Sequence, residues 1–98
     1  MRIEFDWDLQ KAASNLTKHN VSFDEAMTVF SDPLALSRLD NGSAEDGERW
    51  ITIGFSRATS LLLLVHTHVQ IEDDLIAMRI ISARPPTRNE TRQYENNS

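Results

Sequence analysis

The chain has 98 residues, a net charge of −5, 40% hydrophobic and 26% charged residues, proportions that describe one folded domain with a modest core and exclude wholesale disorder. It contains no cysteine, which excludes a disulfide framework, a thiolate metal site and a cysteine nucleophile. The acidic balance argues against broad, non-specific attraction to nucleic acid.

Residues 2–6 alternate as Arg-Ile-Glu-Phe-Asp and predict a short strand with Ile3 and Phe5 facing in. Asp8 is placed to cap a helix in which Leu9, Ala12, Ala13 and Leu16 form one apolar face. Asn20 suits the left-handed conformation that ends it. Ser22-Phe23-Asp24-Glu25 has the form of a capping box. Phe23, Ala26, Met27 and Phe30 then predict a second amphipathic helix, closed by Asp32-Pro33 because the residue before proline avoids helical angles. From Leu34 to Leu39 the period changes to that of a strand. Asp40–Gly47 reads as a turn or loop. Arg49–Phe55, Leu61–Gln70 and Leu75–Ala83 read as three more strands, separated by turns at Ser56–Ser60 and Ile71–Asp74. Pro85-Pro86 stops the last of them, and Thr87-Arg88-Asn89-Glu90 is a second capping box that opens a short final helix.

The expected class is α+β, a single domain over residues 1–98 with residues 95–98 as a frayed polar tail. An antiparallel sheet, four of its strands in a meander, carries two N-terminal helices and a short C-terminal helix on one face. The charged, alternating N-terminus has no signal-peptide core, and Leu61–Val65, the longest apolar run, is too short to span a bilayer. The expectation is a cytoplasmic protein with no membrane partner.

A set of strings in fixed order takes the reading beyond class. They are Phe5-Asp6-Trp7-Asp8, Asn15 with Lys18-His19, Val21–Ala26, Val29-Phe30 with Asp32-Pro33, Gly47-Glu48-Arg49 running into Ile53-Gly54, and Arg79–Arg84 followed by Glu90, Arg92 and Tyr94. On these strings the chain resembles the BrnT toxins of the RelE-like superfamily over almost its whole length. It departs from that pattern at Asn20, where glycine is usual, and at Pro85-Pro86. The resemblance implies a RelE-like fold and an endoribonuclease that cleaves RNA without a metal or other cofactor and arrests growth. It also implies a partner, a BrnA-like antitoxin with a ribbon-helix-helix DNA-binding part. The two would form a hetero-oligomer that reaches operator DNA only through the antitoxin. The competing expectation is a binding module with weak or no catalysis, serving as antitoxin-binding co-repressor.

RNA cleavage without a metal needs a base for the 2′-hydroxyl, a cation for the charge developing on phosphorus and an acid for the departing 5′-oxygen. Residues 1–48 hold ten acids against four bases, whereas residues 49–98 hold five acids against six bases, all arginine, the side chain suited to forked phosphate contacts. Arg49, Arg79 and Arg84 are the candidate phosphate and transition-state groups. Arg79 shares strand parity with Ile81 and Ala83 and is expected to emerge from a largely apolar face. The alternative for these arginines is a structural ion pair, for instance with Glu48 or Asp32. Lys18 and His19 are candidate acid–base groups, or simply cations favoured by a helix C-terminus. Glu48 is a candidate general base. Arg88, Arg92 and Tyr94 are candidate RNA-binding residues, Tyr94 by stacking a base. Trp50 alternates away from Ile51 and Ile53, so it is expected at the surface as a partner contact. His66 and His68 share one side of a strand, but two ligands without a third do not make a metal site.

Overall fold

The structure, a computed structural model, describes residues 2–40 and 48–96. In chain order these form β1 (Arg2–Asp6), α1 (Leu9–His19), α2 (Phe23–Met27) running into a 3-10 turn at Thr28–Ser31, β2 (Leu36–Leu39), β3 (Arg49–Phe55), β4 (Leu61–Thr67), β5 (Val69–Glu72), β6 (Leu75–Arg84) and α3 (Arg88–Asn96). Most of the loop expected at Asp40–Gly47 lies outside the described residues, and Glu95 and Asn96 continue α3.

Helix ends follow the local chemistry of the sequence. The Asp8 carboxylate accepts from the Gln10 and Lys11 amides, and Asn20 closes α1 at φ 58° and ψ 34°, as a left-handed cap requires. The Ser22 hydroxyl accepts from the Glu25 amide. Glu25 does not reach back to complete that box; its carboxylate accepts instead from the Ser56 hydroxyl at 2.8 Å, tying α2 to the β3–β4 turn. Thr87 and Glu90 do form the reciprocal box, at 2.7 and 3.2 Å.

The sheet runs β1-β6-β4-β3-β2, with β5 also pairing β6. It is mixed rather than antiparallel, because β1 lies parallel to β6 with Asp6 opposite Arg79. The run expected as one strand over Leu61–Gln70 divides into β4 and β5, each pairing a different half of the ten-residue β6. The register shifts where Val65 opposes Ser82 and His66 opposes Ile80, leaving Ile81 as an extra residue. That bulge reverses the facing of β6 partway along its length.

Residues paired directly across antiparallel strands share a face. One face carries Leu62, Leu64 and His66 of β4 against Gly54, Thr52 and Trp50 of β3. The core forms there, as Leu62, Leu64, Ile80 and Ala83 pack under Val21, Phe23, Ala26 and Val29. A Cβ at Gly54 would stand 3.0 Å from both Ala35 Cβ and Val29 Cγ1, so glycine lets the 3-10 turn close on β3. The helices do not all share this face. Over the opposite one, Leu36, Ile51, Ile53 and Leu63 face Glu90 and Gln93 of α3. Central strands are therefore covered on both sides.

Two inward assignments change. Ile3 is 37% exposed, and Leu9 and Leu16 on α1 are 80% and 49% exposed. The helix is rotated so that Asn15 rather than the leucines meets the sheet. The Asn15 side-chain amide donates to the carbonyls of Val21 (3.0 Å) and Ala83 (2.8 Å), and its carbonyl accepts from the Ala83 amide at 3.1 Å.

Candidate functional site

The register brings four arginines to one sheet face. Arg38 pairs with Ile51, Arg49 with Thr67 and Arg84 with Leu63, and all of these lie on the face that α3 partly covers. Arg79 joins them because its neighbour Ile80 points the other way, opposite His66. The bulge at Ile81 therefore corrects the expected surroundings of Arg79. Its side chain does not emerge among apolar residues with Ala83 but is 43% exposed, on the open side.

Each arginine is held differently. Arg79 donates to Asp6 at 3.0 Å, and its backbone amide donates to the Thr67 hydroxyl at 3.1 Å. Arg84 makes a forked pair with Glu90, at 2.9 and 3.0 Å, and also donates to the Pro85 carbonyl. The forked donation from Arg84 outweighs burial and holds Glu90 at a pKa of about 2. The same pair raises Arg84 above its usual value. So the partners are Asp6 and Glu90, not Glu48 or Asp32. Arg49 is half-buried, and its Nε is buried with no hydrogen-bond partner among the described residues. A guanidinium so placed is short of one acceptor. Glu48, just before it, is exposed.

The other candidates separate from this face. Lys18 and His19 line a groove of about 440 Å3 between α1 and Ile81–Ser82 of β6, in the helical layer on the far side of the sheet. Arg88 and Arg92 are exposed on α3, four residues apart and so on one side of the helix. Tyr94 is only 5% exposed. Its hydroxyl donates to Asp32 at 2.7 Å, and its ring meets Phe55 edge-on at 5.6 Å. A ring so enclosed has no face on which a base can stack; it fastens α3 to the sheet. Burial first, and then Asp32, push its hydroxyl up to about 12. Burial alone would raise Asp32, but amides of Phe55 and Leu34 and the Tyr94 hydroxyl hold its carboxyl below the usual value. Trp50 is half-buried rather than exposed. It lies on the same face as Thr52 and His66, with its ring 5.8 Å from that of His68.

His66 is 1% exposed, and both ring nitrogens are engaged. Nδ1 donates to the Thr67 carbonyl at 2.9 Å, so Nε2 accepts from the Thr52 hydroxyl at 2.7 Å, which in turn accepts from Ser37. Burial outweighs the Thr67 contact, and His68 adds to it, so the His66 pKa falls below the usual 6.5. The unfolded chain therefore takes up a proton at a higher pH than the folded one does. The stability this histidine contributes is complete above pH 6.5 and is lost as the pH falls below it. Urea midpoints should drop between pH 7.5 and 5.5, and His66→Phe should remove that part of the drop. An equal drop in the variant would show that other groups carry it.

Sequence reasoning gave no role at the site to Arg38, Asp6 or Asn15, and read Glu90 only as part of a helix cap. Arg38 was detectable as the partner in strand parity of Leu36. The pairing of Asp6 with Arg79 depends on a parallel contact between residues 73 apart, which leaves no local signal.

Comparison with known proteins adds to this geometry. A family model described as the ribonuclease toxin BrnT of type II toxin-antitoxin systems matches residues 7–90. The fold is similar to the crystal structure of the Brucella abortus ribonuclease toxin BrnT, with a TM-score of 0.60 and 20% identity, covering 89% of this chain and 100% of that one. Comparison with curated proteins finds no match. With a match that runs from Trp7, just after β1, to Glu90 in α3, and so takes in most of the sheet and the arginine-bearing face, the chain belongs to the BrnT family of ribonuclease toxins of type II toxin-antitoxin systems.

Proposed function

We propose that this chain is itself an endoribonuclease that cleaves RNA without a metal ion, and that the sheet face bearing Arg38, Arg49, Arg79 and Arg84 is where it does so. The observation that carries the proposal is the strand register. Four guanidiniums from three strands come to one face, and that of Arg49 has a buried donor unmatched among the described residues. Such groups bind phosphate oxygens in forked geometry and neutralise charge that develops on phosphorus.

In the reaction proposed, the 2′-oxygen attacks the adjacent phosphorus and the bond to the 5′-oxygen breaks. The products are a 2′,3′-cyclic phosphate and a 5′-hydroxyl. Arg49 and Arg79 stabilise the phosphoryl oxygens. Glu48, beside Arg49, accepts the 2′-hydroxyl proton, and solvent on this open face protonates the leaving oxygen. Arg88 and Arg92 extend the track for the RNA backbone beyond Arg84. Lys18 and His19, across the sheet, stand outside the reacting centre. The purified chain should cut a defined single-stranded RNA into discrete fragments ending in cyclic phosphate, at an unchanged rate in excess chelator. Loss of cutting in chelator would refute the metal-free mechanism, and no cutting under any condition would refute the activity.

The family implies an antitoxin as partner. We propose that it is BrnA-like, with a ribbon-helix-helix part that carries the hetero-oligomer to operator DNA, and that the toxin acts on RNA in the cytoplasm to arrest growth. No helix among the described residues is long and apolar enough to cross a membrane. One observation favours a second reading, that of a weakly catalytic co-repressor: Arg79 and Arg84 are already neutralised by carboxylates. That reading calls for tight antitoxin binding by a chain that cuts no RNA.

A further inference from the structure

Between α3 and the arginine-bearing face lies a cavity of about 230 Å3. Its floor is apolar, formed by Leu36, Ile51, Ile53 and Leu63, with Arg38 at the rim and Glu90 on the α3 wall. The volume falls below that of pockets that enclose drug-sized ligands and suits a single flat ring system. The floor is continuous with the cationic groups of the face. Ile51 and Ile53 follow Arg49 on the same side of β3, so the cavity begins two residues from Arg49, roughly 7 Å along the strand.

We infer that this cavity receives one unpaired RNA base and so sets which nucleotide lies next to the cut. This rests on the proposed ribonuclease reading and adds to it the subsite that gives sequence preference. The chemistry is that of single-stranded recognition, in which a splayed base leaves water for an apolar surface while arginines hold the adjoining phosphates. A base seated on Ile51 and Ile53 presents its phosphate to Arg49, and Arg38 faces the next one. Charge complementarity decides for RNA over an apolar side chain of the antitoxin, since Arg38 lines the cavity and Arg49 lies two residues along β3 from its floor. Glu90 is already matched by Arg84 and Thr87, so the negative charge on the wall is neutralised before RNA arrives.

The test uses a single-stranded hexanucleotide made uncleavable by 2′-O-methylation, with the fluorescent base 2-aminopurine moved through its six positions. Wild-type protein should change the fluorescence strongly at one position only. Leu36→Trp fills the cavity from an edge strand and replaces none of the arginines. It should abolish that positional signal, weaken binding about tenfold and flatten the distribution of cut sites on a defined transcript. A uniform signal at all positions, or an unchanged cut-site pattern in a folded Leu36→Trp protein, would overturn the base pocket. Loss of antitoxin binding with RNA behaviour intact would assign the cavity to the antitoxin and also overturn it. If Leu36→Trp fails to fold, the positional signal of the wild type decides alone. A wild-type protein that gives the positional signal yet cuts no RNA would leave the pocket standing and end the nuclease reading.

Discussion

Arg79→Ala should lower the rate of RNA cleavage by roughly 10²–10³-fold and abolish growth arrest, while changing stability by no more than about 1 kcal/mol. The two halves of this expectation come from the same geometry. The Arg79 and Asp6 side chains are 43% and 68% exposed, so their ion pair is well solvated and its loss costs the fold little. The same exposure leaves the guanidinium free to exchange Asp6 for a phosphate, whose developing charge it meets only in the transition state. Arg79→Lys should recover part of the rate, because it restores the charge without the planar fork. Asp6→Asn should strengthen RNA binding by removing the competing carboxylate. Initial rates on a defined RNA, taken beside urea unfolding curves, check all three. A folded Arg79→Ala protein that cuts at the wild-type rate would remove this residue from the mechanism.

What was legible in the sequence was mainly what is decided within a few residues. Asp8, Asn20, Ser22 and the Thr87–Glu90 pair mark helix ends because a cap is a contact between near neighbours. The period of two over Arg49–Phe55 marks β3 for the same reason. The parallel pairing of β1 with β6 closes over most of the chain, and no local pattern encodes it. The bulge at Ile81 breaks the parity rule at the point where the rule was used to place Arg79. Trp50 was expected outside because Ile51 and Ile53 point the other way. That inference fails in a strand covered on both faces, where alternation no longer separates core from solvent. The candidate site divides similarly. Three of its arginines were readable from the second half of the chain, but the company they keep was not: Arg38 beside Arg49, Asp6 on Arg79 and Glu90 on Arg84.

The largest effect on stability should come from Asn15→Ala. Asn15 is 6% exposed and satisfies three backbone groups, the Val21 carbonyl and both polar groups of Ala83. Alanine leaves all three buried and unpaired, a cost of about 3 kcal/mol set against the roughly 5–15 kcal/mol that holds a domain together. For a chain of this size the urea midpoint should fall by about 2 M. Asn15→Asp should be at least as damaging. One carboxylate oxygen still accepts from the Ala83 amide, but the other faces two carbonyls where a donor stood. The loss should also reach the arginine-bearing face indirectly. Ala83 precedes Arg84 and follows the bulge, along a stretch of β6 where β1 no longer pairs, so Asn15 supplies the bonds a neighbouring strand would have made. Toxicity in cells should then fall with abundance, while the fraction that remains folded at low temperature keeps its rate per molecule. An Asn15→Ala protein within 0.5 kcal/mol of wild type would mean that water reaches these groups and that the edge of β6 does not depend on α1.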